Sequence, residues 1–168
     1  MKKTNYLVAG IVILVAIIGL VALSSKNKKA QPADSIAQTT QSSGYRGAVF
    51  AGKDSPLIDF NQSDYEQALK TDKLVLLYFY ANWCPTCRTE VFDHLEPFFN
   101  ELKSDNVIGF RVNFNDSDTI DTERELARQF GVPYQHTKVF LKNGERVLKS
   151  PESWDIERYK LEINKAIQ

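Results

Sequence analysis

The chain has 168 residues and carries 21 Lys or Arg side chains against 21 Asp or Glu, so its formal net charge is zero. The length allows one ordinary domain and an appendage. Residues 1–47 carry six basic side chains and one acidic, whereas residues 48–168 carry fifteen basic and twenty acidic. An acidic domain excludes the extended basic surface that a nucleic-acid partner would need.

The first element in chain order is an apolar run from Leu7 to Leu23 that contains no charge and is bracketed by lysines. At 1.5 Å per residue it covers about 25 Å, near the lower limit for a membrane-spanning helix. We predict a short head at residues 1–6 and a transmembrane anchor at residues 7–23. A signal peptide cleaved near Ala22-Leu23-Ser24 is the alternative, and it would give a secreted domain. Both place the domain on the extracytoplasmic side of the cell membrane.

Residues 24–47 are rich in Ser, Gln, Thr, Ala and Lys and contain little that could form a hydrophobic core. This composition predicts a flexible linker between the anchor and the rest of the chain. The folded domain is therefore expected to occupy residues 48–168.

Strand and helix patterns alternate through residues 48–168. Strands are predicted at 48–51, 55–60, 74–80, 106–114, 137–141 and 145–148, and the last two flank Asn143-Gly144, a strong hairpin signal. Helices are predicted from a capping box at Ser63 and Glu66 to Lys70, from the cysteines to Lys103 with a break at Pro97, from Asp118 to Phe130, and from Trp154 to Ile167. The pattern predicts an α/β fold with a central mixed β-sheet flanked by helices.

The chain has two cysteines, Cys84 and Cys87, which lie between the apolar strand at 74–80 and the start of a helix. This spacing and placement indicate a dithiol–disulfide redox site that needs no dissolved cofactor. The first turn of a helix offers unpaired N–H groups and partial positive charge, which favour a thiolate. Cys84 could then attack a disulfide and Cys87 could resolve the mixed disulfide. A zinc or iron–sulfur site that adds His136 to the two cysteines is the alternative.

Three motifs extend this interpretation: Trp83-Cys84-Pro85-Thr86-Cys87, Phe130-Gly131-Val132, and the segment from Thr137 to Glu145. On these motifs residues 55–168 resemble the thioredoxin family. The resemblance implies a thioredoxin-like fold, Cys84 as the exposed nucleophile, Cys87 as the buried resolving thiol, and Pro85 and Thr86 as the turn between them. It also implies that Trp83 borders the groove where partner proteins dock; ordinary packing of the indole is the alternative.

The chain departs from the family pattern at His136, which occupies the place of a cis-proline opposite the cysteines and just before Thr137. We expect a trans peptide here, because a cis bond before a residue other than proline costs about 2.5–4 kcal/mol. The imidazole could lie against Cys84 and stabilise its thiolate or carry protons. A loop histidine that points to solvent is the alternative.

The second departure is Tyr78, six residues before Cys84, where thioredoxins keep a buried aspartate that helps to deprotonate the resolving thiol. A tyrosine, whose ordinary pKa is about 10, cannot do this alone near neutral pH. We therefore expect an exported oxidoreductase rather than a general reductase. Its expected partners are protein thiols or disulfides and a membrane-bound redox partner protein.

Overall fold

The computed structural model describes residues 44–168. The strands are β1 Val49–Ala51, β2 Leu57–Asp59, β3 Leu74–Tyr80, β4 Val107–Asn113, β5 Lys138–Lys142 and β6 Glu145–Ser150. The helices are α1 Gln62–Ala68, α2 Pro85–Glu90, α3 Glu96–Glu101, α4 Asp121–Gln129 and α5 Ile156–Ile167, with a π-helical turn at Val91–Leu95 between α2 and α3.

The predicted head, the predicted anchor and most of the predicted linker lie outside the described residues. Between residues 44 and 168 no helix has both the length and the apolar character that crossing a membrane requires. The last part of the predicted linker is described, and it contacts the domain. The backbone N–H groups of Arg46 and Gly47 each donate to Asp64 Oδ2 over 2.8 Å.

The six strands form one sheet in the order β1-β2-β4-β3-β5-β6. Strands β2, β4 and β3 run parallel to one another, while β1, β5 and β6 run antiparallel to their neighbours. The central mixed sheet predicted from the sequence is therefore confirmed. The hairpin prediction is confirmed as well, because Asn143 and Gly144 connect β5 to β6 with φ values of 53° and 77°.

Strand β3 lies inside the sheet, and all seven of its residues are buried. Successive side chains of a strand point to opposite faces. Leu74, Leu76, Tyr78 and Tyr80 accordingly join one hydrophobic cluster, and the alternate residues join another. The first cluster also contains both cysteines and side chains from α3 and α5, whereas α1 and α4 contribute to the second. Tyr78 and the cysteines therefore share one face of the sheet.

Two helix starts differ from the prediction. Helix α1 is capped by Asn61, whose Oδ1 accepts from the N–H groups of Ser63 and Asp64 at 3.0 and 3.4 Å, so Ser63 is not the cap. Asn61 has an extended backbone and an acceptor side chain, which are the properties an N-cap requires. Helix α4 begins at Asp121 rather than Asp118, because the Glu123 carboxylate accepts from the Ile120 N–H at 2.9 Å.

The long helix predicted after the cysteines is divided, as expected, but the division precedes Pro97. The π-helical turn Val91–Leu95 separates α2 from α3, and α3 ends at Glu101 rather than at Lys103. Pro97 lies in the first turn of α3, where a missing N–H removes no helical hydrogen bond. The division leaves Glu90 as the last residue of α2, one turn beyond Cys87.

Candidate active site

Cys84 is the N-cap residue of α2, directly after the connection from β3. Its backbone is extended, with φ −89° and ψ 110°, and its Sγ accepts from the Cys87 N–H at 3.2 Å. Pro85 follows at the first helical position, where its fixed φ suits the helix and its missing N–H costs nothing. The Cys84 sulfur therefore faces the unpaired donors of the helix start, as the sequence predicted.

Both sulfurs are free thiols and both cysteines are buried, Cys84 with 4% of its surface exposed and Cys87 with none. Cys84 is thus the more accessible of the two, in the order that the resemblance implied. It is nevertheless far from exposed, and it belongs to the same hydrophobic cluster as Cys87. A substrate sulfur must therefore approach Cys84 closely at the protein surface rather than meet a projecting side chain.

Cys87 is held as a thiol. Burial raises its pKa to about 12, and the neighbouring Cys84 sulfur acts in the same direction. The Ala81 backbone and the Tyr78 hydroxyl lower this pKa without cancelling the effect of burial. Cys87 must therefore lose a proton before it can attack another sulfur, because the thiolate is the nucleophile.

Trp83, Pro85 and Thr86 present exposed surface beside Cys84. Trp83 has 56% of its surface exposed, so the alternative of ordinary packing does not describe it. Its Nε1–H donates to the Asn115 carbonyl at 3.0 Å, which fixes the indole at one edge. The preceding residue is fixed in the same way, since the Asn82 N–H donates to Asp116 Oδ2 at 2.8 Å. The loop after β4 thus supports the turn that carries Cys84.

His136 lies in the loop before β5 and has a φ of 52°. Every peptide bond between residues 44 and 168 is trans, which confirms the expectation for Gln135–His136. The His136 N–H donates to the Phe79 carbonyl at 2.6 Å, and its Nδ1 lies 3.2 Å from Ser153 Oγ. Histidine is one of the few residue types that tolerate a positive φ.

The imidazole of His136 packs edge-on against Tyr134, with 5.6 Å between the ring centroids. Within residues 44–168, no hydrogen bond joins it to either sulfur. The ring is directed to Ser153, and its predicted contact with Cys84 stays a prediction. Burial lowers the pKa of His136 and the Glu90 carboxylate opposes that shift, so the structure favours a neutral imidazole here.

Thr137 is fully buried and holds this loop against the sheet. Its Oγ1 donates to the Tyr134 carbonyl at 2.7 Å, and its own carbonyl accepts from the Phe79 N–H at 3.0 Å. Its side chain is thus satisfied inside the protein. Thr137 therefore positions the loop before β5 against the end of β3.

A buried ion pair lies on the same face of the sheet, although no local pattern in the sequence indicated it directly. Glu90 is 2% exposed, Lys138 is fully buried, and Lys138 Nζ lies 2.6 Å from Glu90 Oε1. Oε1 also accepts from the Tyr159 hydroxyl at 2.7 Å and from the Trp154 N–H at 3.0 Å. Oε2 accepts from the Tyr78 hydroxyl at 3.2 Å. The Glu90 carboxylate therefore accepts hydrogen bonds from α5, from the segment before α5, from β5 and from β3.

Lys138 uses all three of its N–H donors. Besides Glu90, its ammonium donates to the carbonyl of His136 at 3.0 Å and to the carbonyl of Glu152. It also lies 4.9 Å from the ring centroid of Trp154. Burial lowers the pKa of Lys138, and the Glu90 carboxylate opposes that shift. The signals that could have found this pair were a lysine beside an apolar strand and a glutamate one helical turn after Cys87.

The described part of the chain contains no group of three or more His, Cys, Asp or Glu side chains placed to hold a metal ion. A zinc or iron–sulfur site built on the cysteines would need His136 beside them, and its ring is bound to Ser153 instead. The donors that the metal-binding alternative requires therefore do not converge.

Comparisons with known proteins agree with this geometry. The family model described as Thioredoxin matches residues 56–167. Thioredoxin H4 of Arabidopsis thaliana is 34% identical over 87 residues, which are 50% of this chain and 64% of that protein. The chain thus spans slightly less than two thirds of the length of this relative. Thioredoxin of Malassezia sympodialis is 31% identical over 83 residues, 49% of this chain and 72% of that protein.

Solved structures show the same likeness. Trxlp from Edwardsiella tarda EIB202 matches with a TM-score of 0.52 and 27% identity, over 62% of this chain and 96% of that one. Thioredoxin of Schistosoma mansoni matches with a TM-score of 0.52 and 26% identity, over 68% of this chain and 98% of that one. The predicted thioredoxin-like α/β fold is confirmed, and the chain belongs to the thioredoxin family.

Proposed function

We propose that this chain is a thiol–disulfide oxidoreductase that acts on protein substrates through Cys84 and Cys87. The observation that carries the proposal is the place of Cys84 at the N-cap of α2, with its Sγ accepting from the Cys87 N–H at 3.2 Å. Donors at a helix start stabilise a thiolate. Thioredoxins work through a redox-active disulfide and need no separate cofactor, and family membership extends this chemistry to the present pair.

In the reducing direction the Cys84 thiolate attacks one sulfur of a substrate disulfide and releases the other as a thiolate. The Cys87 thiolate then attacks Cys84 Sγ, forms the Cys84–Cys87 disulfide and releases the second substrate sulfur. Two electrons pass to the substrate, and the reverse sequence oxidises a substrate dithiol. We expect the substrate to dock on the surface of Trp83, Pro85 and Thr86 and on the loop at His136, which the buried Thr137 holds in place.

This activity is tested by Cys84→Ser, which removes the nucleophile but keeps an oxygen that can cap α2. We expect both the reduction of insulin by dithiothreitol and the oxidation of reduced ribonuclease by oxidised glutathione to fall to the uncatalysed rate. Thr89→Ala, on the exposed side of α2, is the matched control and should keep both rates. Activity that survives in Cys84→Ser would remove the proposed function.

We further propose that residues 7–23 anchor the chain in the cell membrane and that the domain works on the extracytoplasmic side. The support is the charge-free apolar run between lysines and the Ser- and Gln-rich segment that follows it. The substrates would then be exported proteins, and the redox partner would be a membrane protein.

The location is tested by fractionating cells that express the full chain. The anchored form should stay in the membrane pellet after alkaline carbonate washing, and protease added to intact cells should release the domain. A shorter protein in the medium would instead show the cleaved, secreted form. A domain that protease reaches only after lysis would contradict export.

A further inference from the structure

Tyr78 lies between the resolving cysteine and a buried carboxylate. Its side chain is fully buried on the sheet face that carries the cysteines. Its hydroxyl donates to Glu90 Oε2 at 3.2 Å. Cys87 belongs to the same buried cluster as Tyr78, and its charge acts on the Tyr78 hydroxyl. The Tyr78 hydroxyl therefore joins the Glu90 carboxylate to the buried cluster that contains Cys87.

The two oxygens of Glu90 differ in their surroundings. Oε1 is saturated, since it accepts from Lys138, Tyr159 and the Trp154 N–H. Oε2 accepts only from Tyr78 among the described residues, and it keeps room for a further proton. Lys138 holds Oε1, so Oε2 remains for the Tyr78 hydroxyl.

We propose that Tyr78 relays the proton of Cys87 to Glu90 when Cys87 resolves a mixed disulfide. This inference rests on the proposed function, and it gives the chain its own solution at the position where thioredoxins keep an aspartate. Tyrosine alone cannot accept that proton near neutral pH. As a relay Tyr78 does not have to accept a net proton, because its hydroxyl gains one proton while it gives up another.

In the mixed disulfide, the Cys87 thiol gives its proton to the Tyr78 oxygen, and Tyr78 passes its own proton to Glu90 Oε2. The Cys87 thiolate attacks Cys84 Sγ, the Cys84–Cys87 bond forms, and the bond from Cys84 to the substrate sulfur breaks. The substrate leaves as a thiolate and takes a proton from water. Glu90, now a carboxylic acid, returns its proton to solvent after the product departs.

Several titratable or charged groups face this path, from the elements packed around it. They are Cys84 and Cys87 at the start of α2, Glu90 at its end, Lys138 on β5, His136 in the loop before β5, Glu152 after β6, and Tyr159 on α5. Cys84 carries no proton in the mixed disulfide. His136, Lys138 and Tyr159 are unchanged by a substitution at Tyr78, so a comparison with Tyr78→Phe isolates the relay.

The test is the reaction of the reduced protein with 5,5′-dithiobis(2-nitrobenzoate), followed by stopped-flow absorbance. Attack by Cys84 releases the first thionitrobenzoate, and displacement by Cys87 releases the second. Tyr78→Phe keeps the buried ring and removes the hydroxyl. We expect it to leave the first release unchanged and to slow the second about a hundredfold at pH 7, the usual scale of a lost acid–base group.

Tyr159→Phe is the matched control. It removes a hydroxyl from the same carboxylate, but from Oε1 and not from Oε2, which accepts from Tyr78. We expect it to slow the second release by less than about threefold. Equal slowing in both variants, or none in Tyr78→Phe, would overturn the relay.

The pH dependence of the second release distinguishes a relay from a purely structural role of Tyr78. With the relay, the second release should be nearly independent of pH between about pH 6.5 and 8.5, because the base is internal. In Tyr78→Phe it should rise about tenfold per pH unit, because solvent hydroxide must then supply the thiolate. Parallel profiles would overturn the inference and leave the oxidoreductase standing. A wild-type protein that never releases the second thionitrobenzoate would remove both proposals.

Discussion

A Cys87→Ser variant is expected to stop after the first exchange and to accumulate a covalent complex with its substrate. Cys84 keeps its place at the N-cap of α2, because the N–H that its sulfur accepts from belongs to the backbone of residue 87. A serine hydroxyl is not ionised near neutral pH and cannot displace the substrate from Cys84. Turnover should fall to background, while the first bond still forms.

The complex is measured by non-reducing electrophoresis and by mass spectrometry of the trapped pair. With insulin the adduct should carry one insulin chain and should disappear on reduction. In cells the same variant should capture the natural substrate, which identifies the client directly. The double variant Cys84→Ser/Cys87→Ser is the control. Adducts that persist in the double variant would show that Cys84 is not the attacking sulfur.

The second large effect is expected from Lys138→Met, which keeps a long side chain in the space between β5 and α2 but removes its charge. Glu90 then remains 2% exposed with no cation beside it. Breaking one side of a buried ion pair costs about 3–5 kcal/mol, because the remaining charge is uncompensated. We expect the free energy of unfolding, from urea titration, to fall by about that amount.

Two controls separate charge from packing. Lys142→Met, on the same strand but with its ammonium at the surface on the Asp72 carbonyl, should cost less than about 1 kcal/mol. The double variant Glu90→Gln/Lys138→Met removes both charges and should recover most of the loss. A double variant as unstable as Lys138→Met would contradict the explanation by charge.

The parts of the fold that were predictable from the sequence are those set by local chemistry. Residues 74–80 are apolar throughout and form β3 within those bounds. Asn143-Gly144 supplies two residues that tolerate positive φ, so the hairpin was determined by its turn. The N-cap place of Cys84 followed from a strand, two cysteines and a proline in sequence. Each of these signals lies within a few residues of its result.

Helix boundaries were less predictable because neighbouring residues compete for the same role. Asn61 and Ser63 both offer a capping oxygen, and the extended backbone of Asn61 decided between them. Beyond the cysteines, Pro97 marked a break correctly, but the π-helical turn that makes the break lies before it.

The candidate site depends on contacts that no local pattern contains. Glu90 and Lys138 are 48 positions apart, and Glu90 and Tyr159 are 69 apart. The orientation of His136 depends on an equally distant contact, since its ring meets Ser153 beyond the next two strands. Tyr78 departs from the family pattern in the sequence itself, but its hydrogen bond to Glu90 depends on the packing of α2 against β3.

The edge strands of the sheet determine how readily another chain could pair with it. Its outer strands are β1, with three residues, and β6, whose Glu145, Arg146 and Lys149 side chains are exposed. Short or charged borders discourage the addition of a foreign strand and hence aggregation. If the proposed function holds, a substrate with unpaired backbone would find few free strand edges to pair with, and sulfur exchange at Cys84 would be the reversible way to hold it.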